Sequence, residues 1–175
     1  MRCELAGLDF STVEEEERLA AARDVEIRRA RVDDEPAVME FLGRHLAGWQ
    51  YEVGQMFRNR PISLHLAILA QAEPALAEQP KSASPISRRN LPSAGLLSFA
   101  GIDGNNRGTG WFGPMGSDPE CRGWGLGRVL LRRCLQDFQA QARDHCTIPW
   151  VGPYGFYARH CGARIDRVLW RYEKA

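Results

Sequence analysis

Two kinds of apolar pattern run along this chain, and one of them predicts strands. In Val25–Ala30 apolar and polar residues alternate, which is typical of a strand with one buried face. Ile62–Ala70 and Leu96–Ile102 are apolar almost throughout, which indicates buried strands. Turn-forming residues at Asp103–Gly108 predict a hairpin that leads into Thr109–Ser117. Two further strands are predicted at Cys146–Val151 and Arg164–Tyr172.

The other pattern is helical, with apolar residues returning every three or four positions. It is clearest after Gly125, where an apolar stripe predicts a helix over about 126–142. Asp33–Pro36 predicts a helix start, because proline suits the first turn. Gly162 is a suitable end for a short helix. The remaining predicted helices cover 37–46, 51–58 and 154–161.

These elements predict an α+β protein built around one sheet, with a separate N-terminal part. A capping pattern from Thr12 to the following glutamates favours a helix over about 12–23. The alternative for residues 1–24 is a disordered extension. Residues 25–175 then form a single domain, which 175 residues are enough to supply with a core. Proline, serine and alanine at about 71–92 predict a long loop.

Composition excludes several classes of protein. The net charge of +1 gives no electrostatic case for binding nucleic acid or an anionic membrane. The five cysteines are an odd number without a Cys-x-x-Cys pair, which favours reduced thiols over a disulfide framework or a zinc site. The acidic run Glu14–Glu17 is unlike a secretory signal, and no apolar run is long enough to span a membrane. We therefore expect a cytoplasmic protein without a metal.

The candidate chemistry begins at a glycine-rich segment, Arg122–Gly127. It follows a predicted strand and precedes the longest predicted helix. Such a turn places backbone N–H groups and the positive end of the helix dipole where a pyrophosphate can bind. This segment fits neither the dinucleotide spacing Gly-x-Gly-x-x-Gly nor the Walker pattern. The pattern that fits is Arg122-x-x-Gly125-x-Gly127.

This pattern resembles the acetyl-CoA loop of the GNAT superfamily of N-acetyltransferases. The approach Pro119–Gly123 is similar to that family's Pro-Glu-x-Arg-Gly lead-in. Downstream, Phe156-Tyr157 followed by Gly162 resembles the family's Phe-Tyr-x-x-x-x-Gly-Phe segment, with Ala163 in place of the last Phe. The resemblance is clear over residues 110–172 and weaker over 25–110. It does not cover residues 1–24.

The resemblance implies a mixed, mostly antiparallel sheet flanked by helices, with two strands that splay apart where acetyl-CoA binds. Pro114 fits a bulge in the strand before the loop, because it cannot donate to a strand ladder. The residues implied to bind acetyl-CoA are Met115, Ser117, Arg122, Gly123, Trp124, Gly125, Leu126, Gly127, Arg128 and Tyr157. Among them, the amides of Gly123, Gly125, Gly127 and Arg128 are implied to hold the pyrophosphate, and Arg122 to pair with a phosphate oxygen.

Two of these positions are implied to be catalytic. The N–H of Met115 is the candidate donor to the thioester carbonyl. Tyr157 is the candidate acid for the CoA thiolate, since a phenol is protonated at neutral pH. No single residue stands out as the general base, for which Glu120, Asp118, His65, His45 and a water chain are all candidates.

The expected acceptor is a primary amine of a small molecule, which attacks the thioester directly without an acyl-enzyme. Trp49, Tyr51 and Trp150 are the candidate walls of its pocket. Two alternatives stay open: a non-catalytic acyl-CoA-binding regulatory module, and an acetyltransferase acting on a protein or aminoacyl-tRNA amine. The chain is compatible with a homodimer.

Overall fold

The computed structural model describes residues 1–70, 95–168, 170, 172 and 173. The loop expected at about 71–92 lies outside these residues. The described helices are α1 Val13–Ala21, α2 Glu35–His45, α3 Gln50–Arg58, α4 Leu126–Ala140 and α5 Tyr154–Cys161. The strands are β1 Arg2–Glu4, β2 Val25–Arg29, β3 Leu64–Leu69, β4 Gly95–Ile102, β5 Phe112–Ser117 and β6 His145–Thr147.

The strands form a mixed, mostly antiparallel sheet that is divided into two parts. Strands β2, β3, β4 and β5 pair antiparallel in that order, and β1 pairs antiparallel with β6. A single parallel bridge between Trp111 and Thr147 joins the two parts. Beyond this bridge β5 and β6 separate. The expected α+β fold with a splayed strand pair is therefore confirmed.

Helices cover both faces of this sheet and bury two apolar clusters. On one face α4 packs with α1 over Leu97, Ala100 and Phe112. On the other face α2 and α3 pack over Leu66 and Phe99. The long helix α4 is held there because its apolar stripe returns every three or four residues. Its buried residues are Leu126, Val129, Leu130, Leu131, Cys134, Leu135 and Phe138.

The first 24 residues contain the helix that the capping pattern favoured, and also a strand that was not predicted. Strand β1 places Cys3 opposite Cys146, and both side chains are fully buried. A three-residue strand is too short to show a periodic pattern, so no sequence pattern indicated it. Helix α1 is tied to α4 by ion pairs from Glu16 to Arg132 and from Glu17 to Arg133.

Two predicted strands are corrected at the C-terminal side. The segment Cys146–Val151 leaves the sheet after Thr147, because Pro149 cannot donate to a ladder and Trp150 has a left-handed backbone with φ of 49°. Among the described residues of Arg164–Tyr172, Arg164 alone forms a bridge, to Arg2, and residues 165–168 lie outside any strand. This strand was predicted only from the alternation of apolar and polar residues. Such a segment forms a strand only when a neighbouring strand pairs with it.

Within the described residues, no helix combines the length and the apolar character needed to cross a membrane.

Candidate active site

The glycine-rich segment lines a cavity of about 880 Å³, here called the loop cavity. Its walls also include the end of β5, the start of α5, and Leu19 and Arg23 from the N-terminal part. Nine of the ten predicted acetyl-CoA residues lie on it, Tyr157 being the exception. These are Met115, Ser117, Arg122, Gly123, Trp124, Gly125, Leu126, Gly127 and Arg128.

The loop needs glycine for conformational reasons as well as for access. Gly123 and Gly125 have φ values of +85° and +81°, a region that side chains rarely adopt. Gly125 stands at the N-cap of α4, so the chain turns from the loop into the helix there. Before the loop, Asp118 accepts a hydrogen bond from the N–H of Glu120 at 2.9 Å and so fixes the turn.

Several backbone N–H groups of this loop donate no hydrogen bond within the described residues. The N–H of Arg128, counted among the pyrophosphate donors from the sequence, already donates to the carbonyl of Gly125 at 3.0 Å. The N–H of Trp124 similarly donates to Cys121. Within the described part of the chain, four loop amides have no hydrogen-bond acceptor. One of them, the amide of Leu126, was not among the donors expected from the sequence. The four amides belong to Gly123, Gly125, Leu126 and Gly127.

The pairing of β4 with β5 decides which amides of β5 face the cavity. The N–H of Asp118 donates to Leu97 at 2.8 Å, which makes these opposed residues a hydrogen-bonded pair. Pairs of an antiparallel ladder alternate, and the register continues to Ala100 opposite Met115. Met115 and Ser117 therefore lie in non-bonded pairs, with N–H and C=O pointing away from β4. Because β5 is the edge strand of its four-stranded sheet, these groups are open to the cavity.

Cationic and aromatic side chains surround the loop. The guanidinium of Arg23 lies 5.4 Å from the centroid of the Trp124 ring. The Nε1 of Trp124 is buried without an acceptor among the described residues. Arg128 Nε lies 3.1 Å from a carboxylate oxygen of Glu16 but makes no well-directed hydrogen bond with it. Arg122 is exposed.

A second cavity, of about 460 Å³, adjoins the first and is called here the tryptophan cavity. Trp49, Trp111 and Trp150 lie on its walls, together with Met115 and Tyr157. Trp49 and Met115 also line the loop cavity, so the two spaces meet at these residues.

Tyr157 lies on the wall of the tryptophan cavity and is only 7% exposed. Its ring packs edge-on against Phe112 and Phe156. Burial raises the pKa of Tyr157 to about 12, so the phenol is protonated at neutral pH. Among the described residues none hydrogen-bonds this hydroxyl.

The three predicted acceptor-side aromatics differ in position. Trp49 and Trp150 lie on the tryptophan cavity, and the Trp150 side chain is 80% exposed there. Tyr51 lies on neither cavity and is 73% exposed, so the structure does not bring it together with the two tryptophans. The buried face of α3 carries Val53 and Phe57. Tyr51, two residues before Val53, faces almost the opposite side of the helix.

The candidate bases from the sequence do not line the tryptophan cavity. His45 lies 3.8 Å from Asp118 beside the loop turn, and Glu120 is exposed there. His65 lies in a separate cavity of about 490 Å³, with its Nε2 2.8 Å from Asp137. Asp137 also pairs with Arg29 at 2.5 Å, so this carboxylate already has a cationic partner.

Sequence reasoning missed one carboxylate of the tryptophan cavity. Glu52 lies on its wall beside Asn105, whose side-chain amide donates to Glu52 Oε1. Glu52 directly follows the aromatic segment that the sequence had marked as a pocket wall. Asn105 lies in the hairpin turn. In the sequence its residue type indicated a turn and did not indicate a contact with Glu52.

Cys121 does not have the properties of a nucleophile. Its thiol is buried and lies within hydrogen-bonding distance of the carbonyls of Leu97 and Asp118. Burial raises the pKa of Cys121 to about 11, which favours the unreactive thiol. In the described ranges no group of three or more His, Cys, Asp or Glu side chains is arranged to hold a metal ion.

Comparison with solved structures identifies the architecture. A GCN5-related glucosamine N-acetyltransferase region of a fungal multi-domain β-N-acetylglucosaminidase superposes with a TM-score of 0.63 over 91% of this chain. The fold is GNAT-like. Sequence identity is 11%, and the match spans 19% of that longer protein. No protein-family model matches the sequence, and no curated protein does. The GNAT-like fold therefore rests on structure, with the loop motif in the position where α4 begins.

Proposed function

We propose that this protein is an acetyl-CoA-dependent N-acetyltransferase that transfers acetyl to a primary amine of a small molecule. The observation that carries the proposal is the position of Met115, which lies on both cavities while its backbone faces away from β4. A thioester at this junction would have the loop on one side and the tryptophan cavity on the other. Two separate substrates can therefore meet there.

The donors of the loop cavity fit the phosphate groups of CoA. Four loop amides and the buried Nε1 of Trp124 have no acceptor among the described residues. Phosphate oxygens would provide acceptors for these amides, and also for the Trp124 Nε1, which is costly to leave buried and unsatisfied. Arg122 is the proposed cationic partner of a phosphate oxygen. Ser117 and Met115 offer open backbone groups to the rest of the cofactor arm.

Acetyl-CoA supplies an activated acyl group, and the protein has to manage charge and protons. As the amine nitrogen bonds to the carbonyl carbon, the C–S bond breaks, the amine loses a proton and the thiolate gains one. The N–H of Met115 is the proposed donor to the carbonyl oxygen. Tyr157 is the proposed proton donor to sulfur, since its phenol is protonated and the residue lines the same cavity as Met115. The high pKa of Cys121 supports direct attack over an acyl-enzyme.

A small acceptor is favoured over a macromolecule. The tryptophan cavity has a volume of about 460 Å³, which suits a small molecule. The net charge of +1 offers little attraction to tRNA. The fungal region named above is described as a glucosamine N-acetyltransferase, which is compatible with an amine acceptor here but does not select one.

The test is release of free CoA from acetyl-CoA across amino acids, polyamines, amino sugars and arylalkylamines. We expect amine-dependent release with at least one class, together with an acetylated product by mass spectrometry. Acetyl-CoA binding without release for any amine would instead support a regulatory module. Absence of acetyl-CoA binding would overturn the proposal.

A further inference from the structure

The tryptophan cavity combines an apolar surface with a single carboxylate. Its aromatic walls are Trp49, Trp111 and Trp150, and most of the other side chains that line it are apolar too. Glu52 is the only acidic or basic side chain on it among the described residues. A space with this lining has little to offer a ligand that carries many hydroxyl groups, because each hydroxyl left unpaired there costs free energy.

The carboxylate of Glu52 is held in place on one side only. Asn105, from the turn between β4 and β5, donates its side-chain amide to Oε1. No Lys, Arg or His of the described chain forms an ion pair with Glu52. The second oxygen, Oε2, is therefore available to a ligand. A carboxylate without a countercharge beside aromatic faces attracts a cation, since both the charge and the rings favour one.

The backbone at Trp150 supports a binding role for this wall. Its φ of 49° is uncommon for a large side chain, and such conformations cluster at functional sites. The indole is also left 80% exposed on the cavity rather than packed into the core. An exposed tryptophan held in this way offers a flat face to a ligand.

We infer that the acceptor is a small arylalkylamine, with its flat apolar part against the tryptophans and its ammonium group bound by Glu52. This inference rests on the proposed function and names its substrate class. Glu52 acts as a specificity residue that binds the amine cation, and Asn105 is its positioning residue. The bound ammonium releases one proton to water before its nitrogen attacks the thioester. The amine then lies in the cavity that Met115 and Tyr157 also line.

The experiment compares two amines and one neutral isostere on the wild-type protein. The probes are 2-phenylethylamine, glucosamine and 2-phenylethanol, with acetyl-CoA binding measured separately. We expect kcat/KM to be higher for 2-phenylethylamine than for glucosamine. A preference for glucosamine, or acetylation of neither amine by a protein that binds acetyl-CoA, overturns the substrate class. A protein that does not bind acetyl-CoA overturns the proposed function itself.

The variant Glu52→Gln tests the charge while keeping an oxygen that can accept from Asn105. We expect kcat/KM for 2-phenylethylamine to fall by about 10- to 100-fold, mainly through KM, with acetyl-CoA affinity unchanged. Inhibition by 2-phenylethanol should be unchanged, because the alcohol carries no positive charge. Glu40→Gln, at an exposed carboxylate on α2, is the matched control and should behave like the wild type. Wild-type kcat/KM in Glu52→Gln, or an equal loss of alcohol and amine binding, overturns the role of Glu52.

Discussion

Cys3 lies directly opposite Cys146 where β1 pairs with β6, and its Sγ is 3.2 Å from the carbonyl oxygen of Cys161. Both thiols are fully buried. The first strand is therefore part of the core around α5, the helix that carries Tyr157.

The variant Cys3→Asp is expected to destabilise the protein by more than about 3 kcal/mol, because it buries a carboxyl group among thiols and apolar side chains. The adjacent exposed variant Glu4→Asp should lie within about 0.5 kcal/mol of wild type. Urea unfolding followed by circular dichroism measures both. Equal stabilities would mean that the N-terminal strand contributes little to the fold.

Asp137 gives the fold a predictable acid sensitivity. Burial favours the neutral carboxyl, but hydrogen bonds from His65 and Arg29 outweigh it, so the pKa of Asp137 is lowered overall. A lowered pKa contributes stability that is present above the unfolded value of about 4 and is lost as pH falls through the folded value. Asp137→Asn should therefore be less stable than wild type by about 1 to 3 kcal/mol at pH 7.

This difference should narrow as the pH is lowered below about 4, which denaturant unfolding at several pH values would detect. Asp33→Asn, at an exposed aspartate, is the control and should follow the wild type. A stability difference that does not depend on pH would contradict the ion-pair explanation.

Tyr157→Phe keeps the ring and its packing but removes the proposed acid. We expect turnover to fall by about 10- to 1000-fold with little change in acetyl-CoA affinity. Tyr154→Phe changes an exposed tyrosine on the same helix and should leave turnover unchanged. Steady-state kinetics measures turnover and calorimetry measures acetyl-CoA affinity, each on the wild type, Tyr157→Phe and Tyr154→Phe. Full turnover in Tyr157→Phe would make Tyr157 a packing residue.

The pKa of Tyr157 adds a prediction about pH. Because the phenol is protonated below about 12, its proton is present throughout the neutral and mildly alkaline range. The wild-type rate at saturating substrates should not decline between about pH 7 and 10 through loss of this acid. A decline in that range that disappears in Tyr157→Phe would show that the phenol ionises well below 12.

Much of the fold could be predicted from the chain because its signals are local. The strands at 25–30 and 96–102, the hairpin turn and helix α4 follow from periodicity and turn chemistry, and the structure contains them. Strand β1 could not be found, because only its pairing with β6 makes it a strand. The strand prediction at Arg164–Tyr172 was wrong for the opposite reason. Apolar and polar residues alternate there, but among its described residues no neighbouring strand pairs with the segment beyond Arg164.

The residues of the candidate site likewise divide into those that the sequence could predict and those that it could not. Residues 122–128 are contiguous, so one motif located all seven of them on one cavity. Glu52 and Asn105 are distant in sequence and meet only in the folded chain. The sequence could not show that the Arg128 amide already has an acceptor, or that Tyr51 lies away from both cavities. Both depend on geometry that residue type does not specify.

Binding of acetyl-CoA by the loop is the central claim, and calorimetry on wild type, Gly125→Val and Gly7→Val tests it most directly. Both glycines have positive φ, +81° and +76°, so valine strains the backbone similarly at each. Only Gly125 lies on the loop cavity, where a side chain would obstruct the amides proposed for phosphate. We predict that the wild type and Gly7→Val bind acetyl-CoA alike, and that folded Gly125→Val binds about tenfold or more weakly. Equal affinity in all three proteins, or no binding by the wild type, would contradict the account.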